Sequence, residues 1–106
     1  MQFLQVITTT DKKETAEKIG QVLLERHLAG CVQIMGPIES RYWWEGRMER
    51  AEEYLCFIKT REEIYEEVER VIKEVHPYEV PEIIALPIIG GSPAYLQWLN
   101  EETQGI

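Results

Sequence analysis

The chain has 106 residues, of which 44% are hydrophobic and 28% charged, and its formal net charge is −8. This length predicts a single domain over residues 1–106 that can bury a core of its own. The acidic balance repels phosphate backbones and argues against a nucleic-acid partner, while no apolar run approaches the roughly 20 residues of a membrane helix. Residues 1–13 lack the basic segment and cleavage site of a secretory signal, so we expect a cytoplasmic protein with no membrane partner.

The N-terminal part of the chain predicts a strand followed by a helix. Phe3–Thr10 is apolar, rich in β-branched residues and too short for a helix. Asp11 lies three residues before Glu14, which is the spacing of a capping box. We therefore expect a helix that begins here, continues to about Ala29 and stops at Gly30.

A long hairpin follows this helix. Residues 31–45 and 47–59 alternate as strands do, and the glycine and proline at 36–37 predict a bulge. Strands of this length would reach roughly 46 Å at about 3.3 Å per residue, more than the roughly 35 Å expected across a domain of about 100 residues. The tip should therefore overhang the domain, and it carries three aromatic residues: Tyr42, Trp43 and Trp44.

The register of the hairpin depends on its turn. A two-residue turn would set Arg41 opposite Arg50, whereas a three-residue loop with Gly46 left-handed would set Arg41 opposite Glu49. Like charges directly opposed destabilise a sheet, so we expect the three-residue loop.

The remainder of the chain predicts a helix, a strand and a last short helix. Thr60 occupies the cap position of a second capping box, and Pro77 cannot continue the helix that follows. Residues 80–88 are apolar and predict the fourth strand. Ser92 and Pro93 then suit the cap and first residue of a terminal helix.

This order, β-α-β-β-α-β plus a terminal helix, predicts an α+β fold of the ferredoxin-like kind. Right-handed crossovers would place the first two helices on one face of a four-stranded antiparallel sheet. An overhanging aromatic tip would expose a large apolar surface, so we expect Tyr42, Trp43 and Trp44 to contact other subunits.

The segment HPYEVPEIIALPI, residues 76–88, holds the main candidate site. His76 follows the second helix, where it could simply cap a free carbonyl. Alternatively, His76 could bind a metal ion or another ligand with the oxygens of Tyr78, Glu79 and Glu82, which lie within a few residues of it.

Other reactive side chains give weaker signals. Lys59 beside a helix N-terminus could hold an anion, or it could pair with a carboxylate. Cys31 and Cys56 are offset across the hairpin, which favours two buried, inert thiols, and His27 with Cys31 is a weak metal pattern. Neither histidine has a recognisable nucleophile and orienting carboxylate, so we expect no enzymatic activity.

Several motifs resemble, in order and spacing, the CutA (CutA1) divalent-cation tolerance proteins. The resemblance extends from about residue 3 to residue 100 and rests on AGCV (29–32), YWWEG (42–46), IKT (58–60), HPYEVPEIIALPI (76–88) and YLQWL (95–99).

This resemblance implies a tight homotrimer, similar in architecture to the trimeric PII signalling proteins, with no obligatory cofactor and no established enzymatic activity. It also implies a part in tolerance of copper and other divalent metals. The positions that ligate metal in bacterial relatives correspond to Thr8, Val75 and His76, so only the histidine is retained. A lone imidazole binds divalent copper only weakly.

Three functions therefore remain open. The first is a metal-response trimer whose inter-subunit sites include His76, with Glu79 and Glu82 as further donors. The second is a PII-like module that binds a small anion near Lys59, Tyr78 or Trp44. The third is a scaffold in which the trimer itself is the functional surface.

Overall fold

The computed structural model describes residues 2–104. Its strands are Phe3–Thr10 (β1), Cys31–Trp44 (β2), Arg47–Arg61 (β3) and Ile83–Ile88 (β4), and its helices are Lys13–Glu25 (α1), Tyr65–Val75 (α2) and Pro93–Glu102 (α3). A short 3-10 turn, Glu62–Ile64, precedes α2. None of the helices in this described part is both long and apolar enough to span a membrane.

The four strands form one antiparallel sheet in the order β2-β3-β1-β4. Helices α1 and α2 pack on one face, because alternate residues of the central strands and the apolar stripes of both helices share one buried cluster. Its fully buried members include Val6, Ile19, Leu23, Ile58, Val68, Val71 and Ile72. The predicted ferredoxin-like fold is confirmed.

The turn of the hairpin has two residues, so the predicted register is wrong. Glu45 and Gly46 both have positive φ, 50° and 76°, which is the backbone of a tight two-residue turn. Arg41 consequently faces Arg50. Their repulsion is relieved because Glu39 accepts from Arg41 Nε at 2.6 Å and lies 3.6 Å from Arg50 Nη1.

The bulge in β2 lies where the glycine and proline predicted it. Met35 pairs with Leu55, but the next paired residue of β2 is Ile38, which faces Glu53. Residues 36–37 therefore oppose a single residue of β3. The molecule measures 44 Å along its longest axis, against 26 and 22 Å along the others, as the predicted overhang of a long hairpin requires.

Helix α1 begins and ends differently from the prediction. Its N-cap is Lys12, which makes no side-chain capping bond, so the predicted capping box at Asp11 is wrong. The helix ends at Glu25 because His27 turns left-handed, with φ of 54°, and lets the Leu28 N–H bond the Leu23 carbonyl at 2.9 Å.

Gly30 serves packing rather than helix termination. A Cβ at this position would lie 2.6 Å from Cδ1 of Leu99, a fully buried residue of α3. The glycine therefore allows α3 to approach the start of β2 closely.

The predicted cap at Thr60 is also wrong. Strand β3 continues through Thr60 to Arg61, and the Thr60 hydroxyl donates to the Leu28 carbonyl at 2.7 Å. The fourth strand starts at Ile83, which pairs with Thr8, and therefore begins later than the predicted residue 80.

The cap of α3 is confirmed. The Ser92 hydroxyl accepts from the Tyr95 N–H at 3.2 Å, and Pro93 is the first helical residue.

The face of the sheet opposite α1 and α2 is apolar and partly exposed. Ile7 pairs with Phe57 on one side and Ile84 on the other, and strand alternation turns this row away from the buried cluster. Ile84 and Leu86 remain 47% and 43% exposed. We refer to this surface as the open face.

Candidate functional site

His76 is the C-cap residue of α2, where its backbone N–H donates to the Ile72 carbonyl, and its ring is almost fully buried. Its Nε2 lies 2.6 Å from the Thr9 carbonyl, and the Tyr78 N–H donates to its Nδ1 at 3.1 Å. Since a carbonyl can only accept and an amide N–H can only donate, Nε2 is the donor and Nδ1 the acceptor in these two bonds. Both ring nitrogens are therefore engaged.

Tyr78 connects this histidine to a buried carboxylate. The ring of Tyr78 packs edge-on to the His76 ring, with 4.6 Å between centroids, and its hydroxyl donates to Glu53 Oε2 at 2.8 Å. Burial, the bond to Glu53 and nearby negative charge raise the pKa of Tyr78 above its ordinary value. The phenol therefore stays protonated and keeps donating.

Tyr78 and Glu53 lie in a cleft of about 640 Å³ between the hairpin and the segment that joins α2 to β4. The residues that line it are Thr9, Ser40, Arg41, Tyr42, Trp44, Glu53, Tyr78, Glu79, Val80, Pro81 and Glu82. We call this space the hairpin cleft.

The charges around the hairpin cleft are mostly negative. Glu53, Glu79 and Glu82 line it, and the single cation among the lining residues, Arg41, is paired with Glu39. Within residues 2–104, no three His, Cys, Asp or Glu side chains are grouped so that they could hold a metal ion. The carboxylates of one chain are thus too dispersed to form such a group.

The hairpin cleft brings together some of the residues predicted from the sequence and leaves out others. Trp44, Tyr78, Glu79 and Glu82 all line it, and so does Tyr42. His76 does not line it; it lies behind Tyr78, with both nitrogens bonded.

Two other predicted residues lie away from the hairpin cleft. Lys59 lies six residues before the start of α2, so the prediction that it stands beside a helix N-terminus is wrong. Its Nζ donates to the side-chain oxygen of Gln33 at 2.9 Å. Trp43 is 70% exposed and pairs across the hairpin with Met48, which is 66% exposed.

Glu53 was not predicted as a site residue, although at 5% exposure it is the most buried acidic residue of the cleft. It stands next to Glu52, which is exposed, and the two cannot be distinguished by residue type. The register across the bulge would have been the only signal, since it decides which carboxylate is buried.

The cysteines are offset across the hairpin, as predicted. Cys31 faces Lys59 and Cys56 faces Ile34, and both thiols are free. Cys56 is fully buried, and this burial raises the pKa of its thiol to about 11. Thr8, the first of the three positions that the family resemblance relates to metal ligands, lies directly opposite Cys56 and is also fully buried.

Comparison with known proteins agrees with this architecture. The family described as "CutA1 divalent ion tolerance protein" matches residues 4–102. The chain is 42% identical over 99 residues to "Protein CutA 1, chloroplastic" of Oryza sativa subsp. japonica, which covers 93% of this chain and 56% of that protein. It thus spans about half the length of this curated relative and of the similar Arabidopsis thaliana and Mus musculus proteins.

Solved structures match over nearly their whole length. The crystal structure of CutA1 from Oryza sativa has a TM-score of 0.95 at 40% identity, covering 98% of this chain and 95% of that one. A protein from Archaeoglobus fulgidus, described as the periplasmic divalent cation tolerance protein CutA, has a TM-score of 0.93 at 40% identity, covering 96% and 99%.

The sheet order, the long hairpin and the cleft beside it define a ferredoxin-like domain with an extended β-ribbon. Within that class, the chain belongs to the CutA1 divalent ion tolerance family.

Proposed function

We propose that this protein acts in divalent-cation tolerance as a non-enzymatic homotrimer that binds divalent metal, copper among them, at sites shared between subunits. The observation that carries the proposal is the match to the CutA1 family over residues 4–102, with the fold of its solved members. The cytoplasm is the compartment we propose, although the Archaeoglobus relative is described as periplasmic and the rice relative as chloroplastic.

Two exposed apolar surfaces support self-association. Ile84 and Leu86 of the open face and the Trp43 and Met48 pair of the hairpin all present large side chains to solvent in one chain. Surfaces of this kind on a small protein usually mark an interface. A second copy that covers the open face would bury Ile84 and Leu86 without any change in fold.

The arrangement of carboxylates supports metal sites shared between chains. Glu79 and Glu82 are exposed at the rim of the hairpin cleft. Carboxylate oxygens are suitable ligands for hard or borderline divalent metal ions. One chain supplies too few grouped donors, so we propose that donors from a neighbour complete the site. Both ring nitrogens of His76 are hydrogen-bonded, so a metal ion could bind this histidine only by displacing one of these bonds. We therefore propose that His76 supports the rim indirectly, by holding Tyr78 in place.

Copper titration by calorimetry tests this proposal. The double variant Glu79→Gln and Glu82→Gln should weaken Cu²⁺ binding at least several-fold, since it removes two donors from the rim. A matched control is Glu14→Gln with Glu17→Gln, because these exposed glutamates of α1 have the same spacing and the same charge.

Equal binding by the two double variants would mean that copper is held by diffuse acidity alone, and the proposed rim site would be lost. Sedimentation of the wild-type protein at micromolar concentration should give a trimer, and a monomer would overturn the shared-site proposal.

A second candidate function is that of a PII-like small-molecule module. The volume of the hairpin cleft, about 640 Å³, lies within the roughly 300 to 1,000 Å³ of ordinary ligand pockets. A thermal-shift screen of metabolites tests it, because a ligand specific to the folded state raises the melting temperature. An anion near Lys59 has little support, since Lys59 is bonded to Gln33 outside the cleft.

A further inference from the structure

Glu53 places a nearly buried carboxylate in the wall of the hairpin cleft. It is 5% exposed, and Tyr78 donates one hydrogen bond to its Oε2. The other oxygen, Oε1, has no hydrogen-bond partner or cation among residues 2–104, and it is not one of the buried unpaired atoms of these residues, so it remains open to the cleft. A carboxylate with so little contact with water gains from a countercharge that reaches its open oxygen.

The one cationic side chain that lines the cleft does not provide that countercharge. Arg41 lines the cleft, but its Nε bonds Glu39 at 2.6 Å, and it forms no ion pair with Glu53. Glu79 and Glu82 add negative charge at the rim, and the whole chain carries −8. The potential in the cleft therefore favours a cation over an anion.

Aromatic rings form much of the remaining wall. Tyr42 and Trp44 of the hairpin and Tyr78 opposite them all line the space. The face of an aromatic ring attracts an organic cation, and it attracts a guanidinium especially well. A metal ion, by contrast, needs grouped donors, and this chain has no such group in residues 2–104.

We propose that the hairpin cleft binds a small organic cation with N–H donors, a guanidinium or a primary ammonium, between the Glu53 carboxylate and the rings of Tyr42 and Trp44. This inference rests on the second candidate function and reverses the sign of charge expected for its ligand. All of these residues belong to one chain, and because Tyr42 and Trp44 are also expected to contact other subunits, the site would lie beside a subunit contact of the proposed trimer.

The test uses n-butylguanidinium as the probe and n-butylurea as its neutral isostere, titrated calorimetrically into the full chain at constant ionic strength. The cation should bind saturably, and the urea should bind at least tenfold more weakly. Glu53→Gln should weaken binding of the cation about tenfold, since the amide can still accept from Tyr78 but carries no charge. Glu52→Gln, which removes the same charge from an exposed neighbour, should leave it unchanged.

Equal losses in Glu53→Gln and Glu52→Gln would overturn the proposal, because binding would then follow overall acidity. Equal affinity for the cation and the urea, or tighter binding of n-butyrate, would overturn it too, and this comparison needs no variant. If sedimentation showed a monomer, the proposed trimer would be wrong, but the comparison of cation and urea binding could still be interpreted. The trimer and the cation site can therefore be rejected independently.

Discussion

The imidazole of His76 bridges β1 and the loop after α2, since its two nitrogens bond the Thr9 carbonyl and the Tyr78 amide. His76→Ala leaves both groups without their partner in a buried place. We expect the free energy of unfolding to fall by about 2 kcal/mol, measured by urea unfolding at matched protein concentration.

His27→Ala is the control for this experiment. His27 is exposed, its Nδ1 lies 3.2 Å from the Glu102 carbonyl and its backbone is left-handed, so we expect a smaller loss than for His76→Ala, at most about 1 kcal/mol. If His76→Ala instead kept its stability and lost copper binding, His76 would be a ligand rather than a support.

The thiol of Cys56 predicts a loss of stability at alkaline pH. Burial raises its pKa from 9.0 to about 11, so the folded state keeps the proton in a range where the unfolded state loses it. This contribution is complete below about pH 9 and declines as the pH rises to about 11, by at most about 1.4 kcal/mol per pH unit.

The measurement compares the pH dependence of urea unfolding between pH 8 and 11. Cys56→Ala should flatten the decline, whereas Cys31→Ala should preserve it, since Cys31 is only partly buried. Identical slopes in the two variants would assign the decline to other groups, such as the tyrosines.

At the scale of elements, the hairpin turn depends on two left-handed residues. A Cβ at Gly46 would meet no atom within 4 Å, so Gly46→Ala introduces no clash and its cost is conformational. We expect it to lower the free energy of unfolding by about 1 kcal/mol.

Glu45→Asn is the matched change of opposite sign. Asparagine tolerates the left-handed φ of 50° found at this position better than glutamate does, and Asn-Gly suits this turn. Thermal unfolding should therefore show Glu45→Asn above, and Gly46→Ala below, the wild-type melting temperature. A stabilising Gly46→Ala would mean that the turn is not left-handed in solution.

The identity of the elements could be predicted from the sequence, but their ends and pairing could not. The apolar period identifies β1 and α2 because it depends on local burial. The predicted cap at Thr60 was wrong because its hydroxyl donates to the carbonyl of Leu28, 32 residues away, and does not bond a local amide. The predicted register was wrong because Glu39, on the same strand as Arg41, relieves the repulsion between Arg41 and Arg50.

At the scale of the whole molecule, the open face predicts the behaviour of the proposed trimer. Leu86→Glu places a charge on that face, which association would have to bury without a partner. We expect it to shift sedimentation at micromolar concentration toward monomer.

Leu24→Glu is the control, since Leu24 is similarly exposed at 39% but lies on α1. It should sediment as the wild type does. Dissociation by both variants would point to loss of stability, and dissociation by Leu24→Glu alone would move the interface to the helical face.

The hairpin cleft shows how far the sequence could predict the site. Trp44, Tyr78, Glu79 and Glu82 were expected to bind a ligand because of their chemistry, and they do line one space. Their proximity to Glu53 was not predictable, since 25 residues separate Glu53 from Tyr78.

Local chemistry along the chain was thus sufficient for the order of elements, the bulge, the cap of α3 and the family, because each depends on neighbours in sequence. The three-dimensional fold was needed to bury Glu53 and expose Glu52, to engage both nitrogens of His76 and to leave the open face apolar. These features depend on strand register and on contacts between distant segments, and residue type alone does not encode either.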